Sequence, residues 1–174
     1  MIFNSIKLSA ARKKVAQLVE QQSSKSFPGK PVSLGIIIDS KHEEELTVLL
    51  KLKKLLKIAD KNFKVFYYNP NKTKPSDLDC CTFNLQDFDS KGGLINKELE
   101  EISSQGVDLL ITFAAENNTT AHLITAYFDA GLKVGRFQQN LALYDLILQT
   151  EEDAELFVEE LLKYLKHLTK AHNE

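Results

Sequence analysis

A short polar run follows the first strand that the sequence predicts, and its residue types limit the chemistry available there. Asp39-Ser40-Lys41 stands where a dinucleotide-binding fold carries Gly-x-Gly-x-x-Gly and a P-loop carries Gly with Lys-Ser/Thr, and neither pattern is present. A carboxylate at this position repels phosphate, but it can bind a hydroxyl group or a metal ion. The preferred interpretation is that Asp39 and Ser40 cap the following helix; a role in ligand binding is the alternative.

A second polar run follows the fourth predicted strand and leads into a helix. Glu116-Asn117-Asn118-Thr119 reaches the helix N-terminus, where unpaired N–H groups attract anions and polar ligands. One of the two asparagines is expected to be the N-cap of this helix. The other asparagine and Glu116 are then free to line a pocket, and pocket and plain capping are equally compatible with the sequence.

The fifth predicted strand ends with Gly135 and Arg136. A glycine near a strand end permits close approach of another backbone or a ligand. Arg136 is either the fixed positive charge of an acidic cleft or, as the preferred interpretation, an ordinary surface residue. No catalytic residue is assigned, and the candidate ligand-binding residues are Asp39, Ser40, Glu116, Asn117, Asn118, Thr119, Gly135 and Arg136.

Other residues that often carry chemistry lack the spacing that it requires. The four histidines, at positions 42, 122, 167 and 172, have no zinc-ligand spacing and are expected to be solvated. The chain has no Gly-x-Ser-x-Gly elbow for a hydrolase nucleophile. The sequence therefore predicts no metal and no cofactor.

Composition indicates one soluble α/β domain with a basic N-terminal extension. The chain has 174 residues, 43% hydrophobic and 26% charged, with no apolar run near the roughly 20 residues of a membrane span. Basic residues interrupt the first 30 positions, where a signal peptide needs an apolar segment. Two adjacent cysteines cannot build a disulfide framework, so a cytoplasmic location is expected.

Charge is distributed unevenly along the chain. Residues 1–30 carry six basic residues and one acidic residue, a net charge of +5. The remaining 16 basic and 23 acidic residues give residues 31–174 a net charge of −7. An acidic body argues against a specific nucleic-acid surface. We therefore divide the chain into a basic amphipathic helix and linker, 1–30, and a single α/β domain, 31–174.

The order of predicted elements points to a three-layer Rossmann-like fold. Helices are predicted at 4–24, about 40–59, 98–104, 119–130 and 151–170, and strands at 33–39, 64–68, 80–84, 108–113, 132–137 and 144–148. Ser40 with Glu43 predicts a capping box, and Gly131 is expected to end its helix in a left-handed conformation. Strands that alternate with helices predict a mostly parallel sheet of about six strands, in the order 3-2-1-4-5-6, with helices on both faces. The crevice of such a sheet lies beyond the carboxyl ends of strands 1 and 4.

The N-terminal helix has a narrow apolar stripe formed by Leu8, Ala11, Val15 and Leu18. Three partners are open to this stripe: its own domain, a second copy of the domain, or an anionic partner such as a membrane surface. Packing on protein, within or between chains, is preferred because the stripe lacks bulky residues. Peripheral membrane contact is expected to be weak.

Three segments carry a resemblance to a known family. The basic N-terminal helix followed by Leu34–Asp39, the strand Val107–Ile111, and Ala130–Gly135 with Tyr144–Ile147 resemble an uncharacterised bacterial family of small single-domain α/β proteins, a domain of unknown function. This resemblance implies fold and length but no activity. The pattern is also similar to the N-terminal half of heptosyltransferase-like glycosyltransferases, without the half that would bind a nucleotide-sugar donor.

Two functional hypotheses follow from these features. The first is a non-catalytic or accessory domain that binds a protein partner, or self-associates, through the N-terminal helix. The alternative is a small enzyme or ligand-binding protein, sugar- or nucleotide-related, that uses the crevice. A deep pocket beside strands 1 and 4, with at least two of Asp39, Glu116, Asn117 and Arg136 converging on it, would favour the alternative, and a shallow, filled strand edge would favour the first.

Overall fold

Six parallel strands form one sheet in the computed structural model, which describes residues 2–22, 26–138 and 142–172. The strands are β1 (Leu34–Asp39), β2 (Phe63–Tyr68), β3 (Cys81–Phe83), β4 (Val107–Phe113), β5 (Ala130–Gly135) and β6 (Leu146–Ile147). Their order is β3-β2-β1-β4-β5-β6, and every neighbouring pair is parallel. The predicted strand order is therefore confirmed.

The helices cover both faces of the sheet. They are α1 (Ile2–Gln21), α2 (Leu46–Leu55), α3 (Lys97–Gln105), α4 (Thr119–Tyr127) and α5 (Ala154–His172). The apolar core on one face contains residues of α2 and α5, and the core on the other face contains residues of α1, α3 and α4. The predicted three-layer α/β fold is thereby confirmed.

The two central strands, β1 and β4, are buried on both faces because their sequences are almost continuously apolar. Successive side chains point to opposite faces, so Ile36 and Ile38 pack in the α2/α5 layer while Ile37 packs in the α1/α3/α4 layer. Asp39 continues this alternation. Its side chain therefore faces the layer that contains α4.

The N-terminal helix packs on its own domain. Ala11 and Val15 are buried in the core that α3 and α4 share, and α1 lies directly against α4. Gln22, just after the helix, donates from its side-chain amide to the carbonyl oxygen of Ala126 at 2.7 Å. The predicted linker includes residues 23–25, which lie outside the described residues, and the division of the chain at residue 30 stays a prediction.

The helix after β1 begins differently from the predicted capping box. Asp39, not Ser40, is the capping residue, and residues 40–45 form a 3₁₀ segment before α2 begins at Leu46. Glu43 accepts a hydrogen bond from the Tyr67 hydroxyl, so its carboxylate contacts β2 rather than the backbone of the cap. The capping-box prediction is wrong because a tertiary contact competes for the same carboxylate.

The predicted end of α4 at Gly131 is also wrong. The helix ends at Tyr127, because the next residue, Phe128, turns into the core. Gly131 already lies within β5. The left-handed glycine in this region is Gly106 (φ 70°), where a Cβ atom would lie 2.5 Å from the carbonyl oxygen of Asp129. Glycine is therefore required at the end of α3, close to the predicted stop.

Among the helices described, each is too short or too polar to cross a lipid bilayer.

Candidate functional site

A pocket opens at the carboxyl edge of the sheet, between the ends of β1 and β2 and the start of α4. Its volume is about 270 Å³. The side of the pocket formed by the sheet is polar, and α1 contributes an apolar residue. The lining residues are Leu8, Asp39, Ser40, Lys41, Tyr68, Pro70, Asn117, Asn118, Thr119 and Thr120. Five of the eight predicted site residues therefore line one cavity, at the predicted crevice.

Asp39 is the buried carboxylate of this pocket, with 2% of its surface exposed. One oxygen accepts a hydrogen bond from the Asn118 side-chain amide at 2.7 Å, and the other accepts from the backbone N–H of Lys41 at 3.1 Å. A carboxylate oxygen has two lone pairs, so each oxygen retains capacity for a ligand. Asp39 therefore caps the following segment and lines the pocket, and the two predicted roles are compatible.

Asn118 connects the two halves of the site. Its side-chain oxygen accepts from the backbone N–H of Ala121 at 3.0 Å, which makes it the N-cap of α4, while its amide group donates to Asp39. The neighbouring Asn117 is exposed and lines the pocket. The prediction that one asparagine is the cap is confirmed, and the other is available to a ligand.

The amide of Asn118 can be tested with a nearly isosteric change. Asn118→Asp keeps the capping oxygen but replaces the donor to Asp39 with a second carboxylate, and it should lower the free energy of unfolding by about 1–3 kcal/mol at neutral pH. The loss should shrink as the pH falls, because the repulsion raises a carboxyl pKa in the folded variant and protonation restores a donor. Denaturant titrations at two pH values measure both effects.

Asn117→Asp is the matched control, because it introduces the same charge at the adjacent, exposed position. Its unfolding free energy should stay within about 0.5 kcal/mol of the unsubstituted protein. Equal losses for the two variants would show that the hydrogen bond between Asn118 and Asp39 is not the source of the effect.

Glu116 lies outside the pocket wall. Its side chain is exposed, and its backbone carbonyl accepts from His122 Nε2 at 3.0 Å. Because Nε2 donates, the neutral ring accepts through Nδ1 from the Tyr144 hydroxyl, 2.6 Å away. Burial lowers the pKa of His122, which favours this neutral form. His122 thus holds the loop before α4, and the prediction that this histidine is solvated is wrong.

Gly135 and Arg136 are not part of this pocket. Gly135 packs on the Tyr144 ring, where a Cβ atom would lie 2.7 Å from ring carbons. Arg136 is buried in the α2/α5 layer, with its guanidinium 4.2 Å from the centre of the Phe113 ring. The alternation of strand residues places Arg136 and Asp39 on opposite faces of the sheet. The preferred prediction of an exposed Arg136 is wrong, and so is its alternative role in the same cleft.

Arg136 forms a second buried polar group together with His42. Its Nη1 atom donates to His42 Nε2 at 3.3 Å, and its Nε atom has no hydrogen-bond partner among the described residues. Burial and the nearby Arg136 charge lower the pKa of His42, and burial lowers the pKa of Arg136. His42 was expected to be solvated, but its ring packs edge-on against Phe113. The sequence does not indicate this contact, because His42 and Arg136 are 94 residues apart and meet only when the sheet forms.

Five lining residues are not among the eight candidates. Lys41 and Thr120 adjoin predicted residues, whereas Leu8, Tyr68 and Pro70 lie elsewhere in the chain. Tyr68 ends β2 opposite Asp39 in the parallel register, so the predicted strand order already placed it at the same edge. Burial, followed by the charge of Asp39, raises the pKa of the Tyr68 hydroxyl and keeps it protonated. Leu8 reaches the pocket only because α1 packs across α4.

The described residues contain no cluster of metal-binding side chains. Within the described residues, no three side chains of the His, Cys, Asp and Glu types cluster closely enough to hold one ion. The chemistry that the pocket offers is hydrogen bonding by carboxylate, amide and hydroxyl groups.

Comparison with known proteins agrees with the resemblance noted in the sequence. No curated protein and no solved structure matches the chain, so the similarity to heptosyltransferase-like glycosyltransferases is not shown. One family model matches residues 7–168, nearly the whole chain, from α1 to α5. The chain therefore belongs to DUF6913, a family of unknown function.

Proposed function

We propose that this protein binds a small, hydroxyl-rich molecule, such as a sugar or the sugar part of a nucleoside, in the Asp39 pocket. The observation that carries the proposal is the convergence of a buried carboxylate, side-chain amides and threonine residues on one 270 Å³ cavity. Pockets for drug-sized ligands measure about 300–1,000 Å³, so a cavity of this size suits a smaller ligand.

The buried carboxylate of Asp39 favours an uncharged ligand over a phosphate, and the other charged lining residue, Lys41, is exposed to solvent. The N-terminus of α4 carries a partial positive charge that would attract an anion. Asp39 already lies at this helix end, bound to the N-cap Asn118, so its carboxylate offsets the helix dipole. A phosphate would also approach that carboxylate directly. Hydroxyl groups, in contrast, can donate to the carboxylate oxygens and accept from the amide of Asn117.

The arrangement of α1 supports this choice over partner binding by the apolar stripe. Ala11 and Val15 are buried on α4 within the same chain, and Leu8 forms part of the pocket wall. The apolar stripe of α1 is therefore already covered by its own domain. The pocket contains Asp39 and Asn117, two of the four side chains whose convergence favours ligand binding.

We further propose a bacterial cytoplasm as the compartment and a Rossmann-like relationship for the sheet. Both cysteines, Cys80 and Cys81, are free thiols, as is usual in a reducing compartment. The strand order, with the pocket beside the end of β1 where the order reverses, supports the second proposal.

A thermal-shift panel tests the proposed ligand class. D-ribose, D-glucose and adenosine are compared with inorganic phosphate and adenosine monophosphate as anionic counterparts. At about 100 times its dissociation constant, a ligand of the folded state adds roughly 2.7 kcal/mol to the free energy of unfolding and raises the melting temperature. We expect at least one neutral compound to stabilise the protein and phosphate to have no effect.

Asn117→Leu and Gln105→Leu form the variant pair for this panel. Both residues are exposed amides, but only Asn117 lines the pocket, whereas Gln105 ends α3. Asn117→Leu should weaken binding of the neutral ligand by about tenfold or more, and Gln105→Leu should leave it unchanged. Stabilisation by phosphate alone, or equal binding by both variants, would contradict the proposal.

A further inference from the structure

The first turns of α1 expose three large apolar side chains. Ile2, Phe3 and Ile6 are 81%, 63% and 55% exposed. Ile2 and Ile6 lie four residues apart and share one face of the helix, and the exposed Lys13 lies on the same side two turns later. Ala11 and Val15, which bury α1 on its domain, belong to a different face. We call Ile2, Phe3 and Ile6 the apolar tip.

Positive charge accompanies the apolar tip. Lys7, Arg12, Lys13 and Lys14 are the charged residues of α1 before its first acid, Glu20. The Lys7 ammonium lies 5.4 Å from the centre of the Phe3 ring and donates to the carbonyl oxygen of Phe88. Residues 31–174 have a net charge of −7. The molecule thus has a basic, apolar end and an acidic body.

We propose that the apolar tip docks on an anionic lipid surface. Ile2, Phe3 and Ile6 would enter the boundary between headgroups and acyl chains, and the exposed Lys13 on the same side of α1 would lie among the headgroups. Neither contribution suffices alone, because a few lysines or three apolar side chains each give only marginal membrane binding. Their combination on one helix end supplies both, and repulsion of the acidic body orients that end toward the lipid.

A second copy of the chain is a poorer occupant of this surface. A twofold interface would set the tip against itself, bringing Lys13 and its neighbouring basic residues toward the same residues of the partner. Three side chains also fall short of the roughly 800 Å² that each partner buries in a stable protein interface. A lipid surface has neither problem, because it supplies opposite charge and needs no shape complementarity.

Vesicle co-sedimentation with a matched pair of variants tests the docking. Ile6 and Leu55 are branched apolar residues with 55% and 53% exposure, and Leu55 ends α2, on the face of the sheet opposite α1. The full-length protein and the Ile6→Glu and Leu55→Glu variants are mixed with vesicles of phosphatidylcholine, alone or with about one-third phosphatidylglycerol, at about 50 and 500 mM salt. Lys13→Glu tests the charge contribution separately.

We expect binding only to the anionic vesicles, with a large decrease at high salt. Ile6→Glu should reduce the partition coefficient by about tenfold or more, and Leu55→Glu should leave it near that of the unsubstituted protein. Equal binding by the two variants, or no binding to anionic vesicles at low salt, would overturn the proposal. A dimer in solution that Ile6→Glu converts to a monomer would also overturn it, since the tip would then be a protein interface.

Discussion

Truncation of Ile37 or Ile111 to alanine is expected to lower the free energy of unfolding by about 2–5 kcal/mol, which is a large share of the 5–15 kcal/mol typical of a single domain. Both side chains are fully buried in the central strands β1 and β4. Ile37 packs in the α1/α3/α4 layer and Ile111 in the α2/α5 layer. Each variant leaves a cavity in a different core, so the pair examines both layers.

Urea titration tests this prediction: the midpoint of unfolding should fall, while the dependence of the unfolding free energy on urea concentration stays the same. Val32→Ala is the control, because Val32 precedes β1 and is exposed, and it should change the unfolding free energy by no more than about 0.5 kcal/mol. An unaltered midpoint for Ile37→Ala or Ile111→Ala would contradict the placement of that side chain in a packed layer.

Replacement of Lys133 by methionine is expected to stabilise the protein by roughly 3 kcal/mol near pH 7. Lys133 lies in β5 with 4% of its surface exposed, and its Nζ atom has no hydrogen-bond partner among the described residues. Burial lowers the pKa of its ammonium group from 10.5 to about 8, against the opposing charges of Asp145 and Asp129. Methionine preserves most of the volume and removes the cost of burying the charge.

The stability gained by Lys133→Met should decrease as the pH rises, because the pKa of Lys133 is lower in the folded protein than in the unfolded chain. Between about pH 8 and 10.5 the unfolded chain keeps the Lys133 proton while the folded chain has lost it, so the stability of the unsubstituted protein rises with pH across this window. The advantage of Lys133→Met is therefore complete below about pH 8 and disappears as the pH approaches 10.5. Unfolding titrations at about pH 7 and pH 10 measure the difference.

Lys64→Met provides the comparison for Lys133→Met, because Lys64 is a lysine of β2 whose side chain is exposed. Its effect should stay within about 0.5 kcal/mol at both pH values. Other tyrosine and cysteine titrations at high pH occur in all three proteins, so they cancel from the comparison. A destabilised Lys133→Met variant at pH 7 would show that the ammonium group makes favourable contacts in the folded state.

The central part of the fold could be predicted because its signals are local and strong. The apolar runs of β1 and β4 are typical of strands covered on both faces, and helices between the strands favour parallel pairing. Right-handed crossovers then leave few strand orders, and the predicted order is the one observed. The first and last residues of the helices could not be predicted as well. Glu43 bonds to Tyr67 and Phe128 turns into the core, and both events depend on residues distant in the chain.

The position of the pocket could also be predicted from the sequence, because the carboxyl ends of parallel strands meet at one edge of the sheet. Asp39, Ser40, Asn117, Asn118 and Thr119 line it together. Which neighbouring polar residues join them could not be predicted, because face assignment near a strand end changes with each residue. Glu116, in the turn after β4, is exposed.

Apolar runs in the strands, the 3.6-residue period of the helices and the right-handed crossover rule were sufficient to predict the layers, the strand order and the edge that holds the pocket. Packing alone brought Arg136 against His42, buried His122 beneath the loop before α4, and brought Leu8 of α1 into the pocket wall. These contacts join residues between 6 and 94 positions apart, and no local spacing encodes them. They arise because a polar group buried by the fold must find its hydrogen-bond partner wherever the neighbouring layer supplies one.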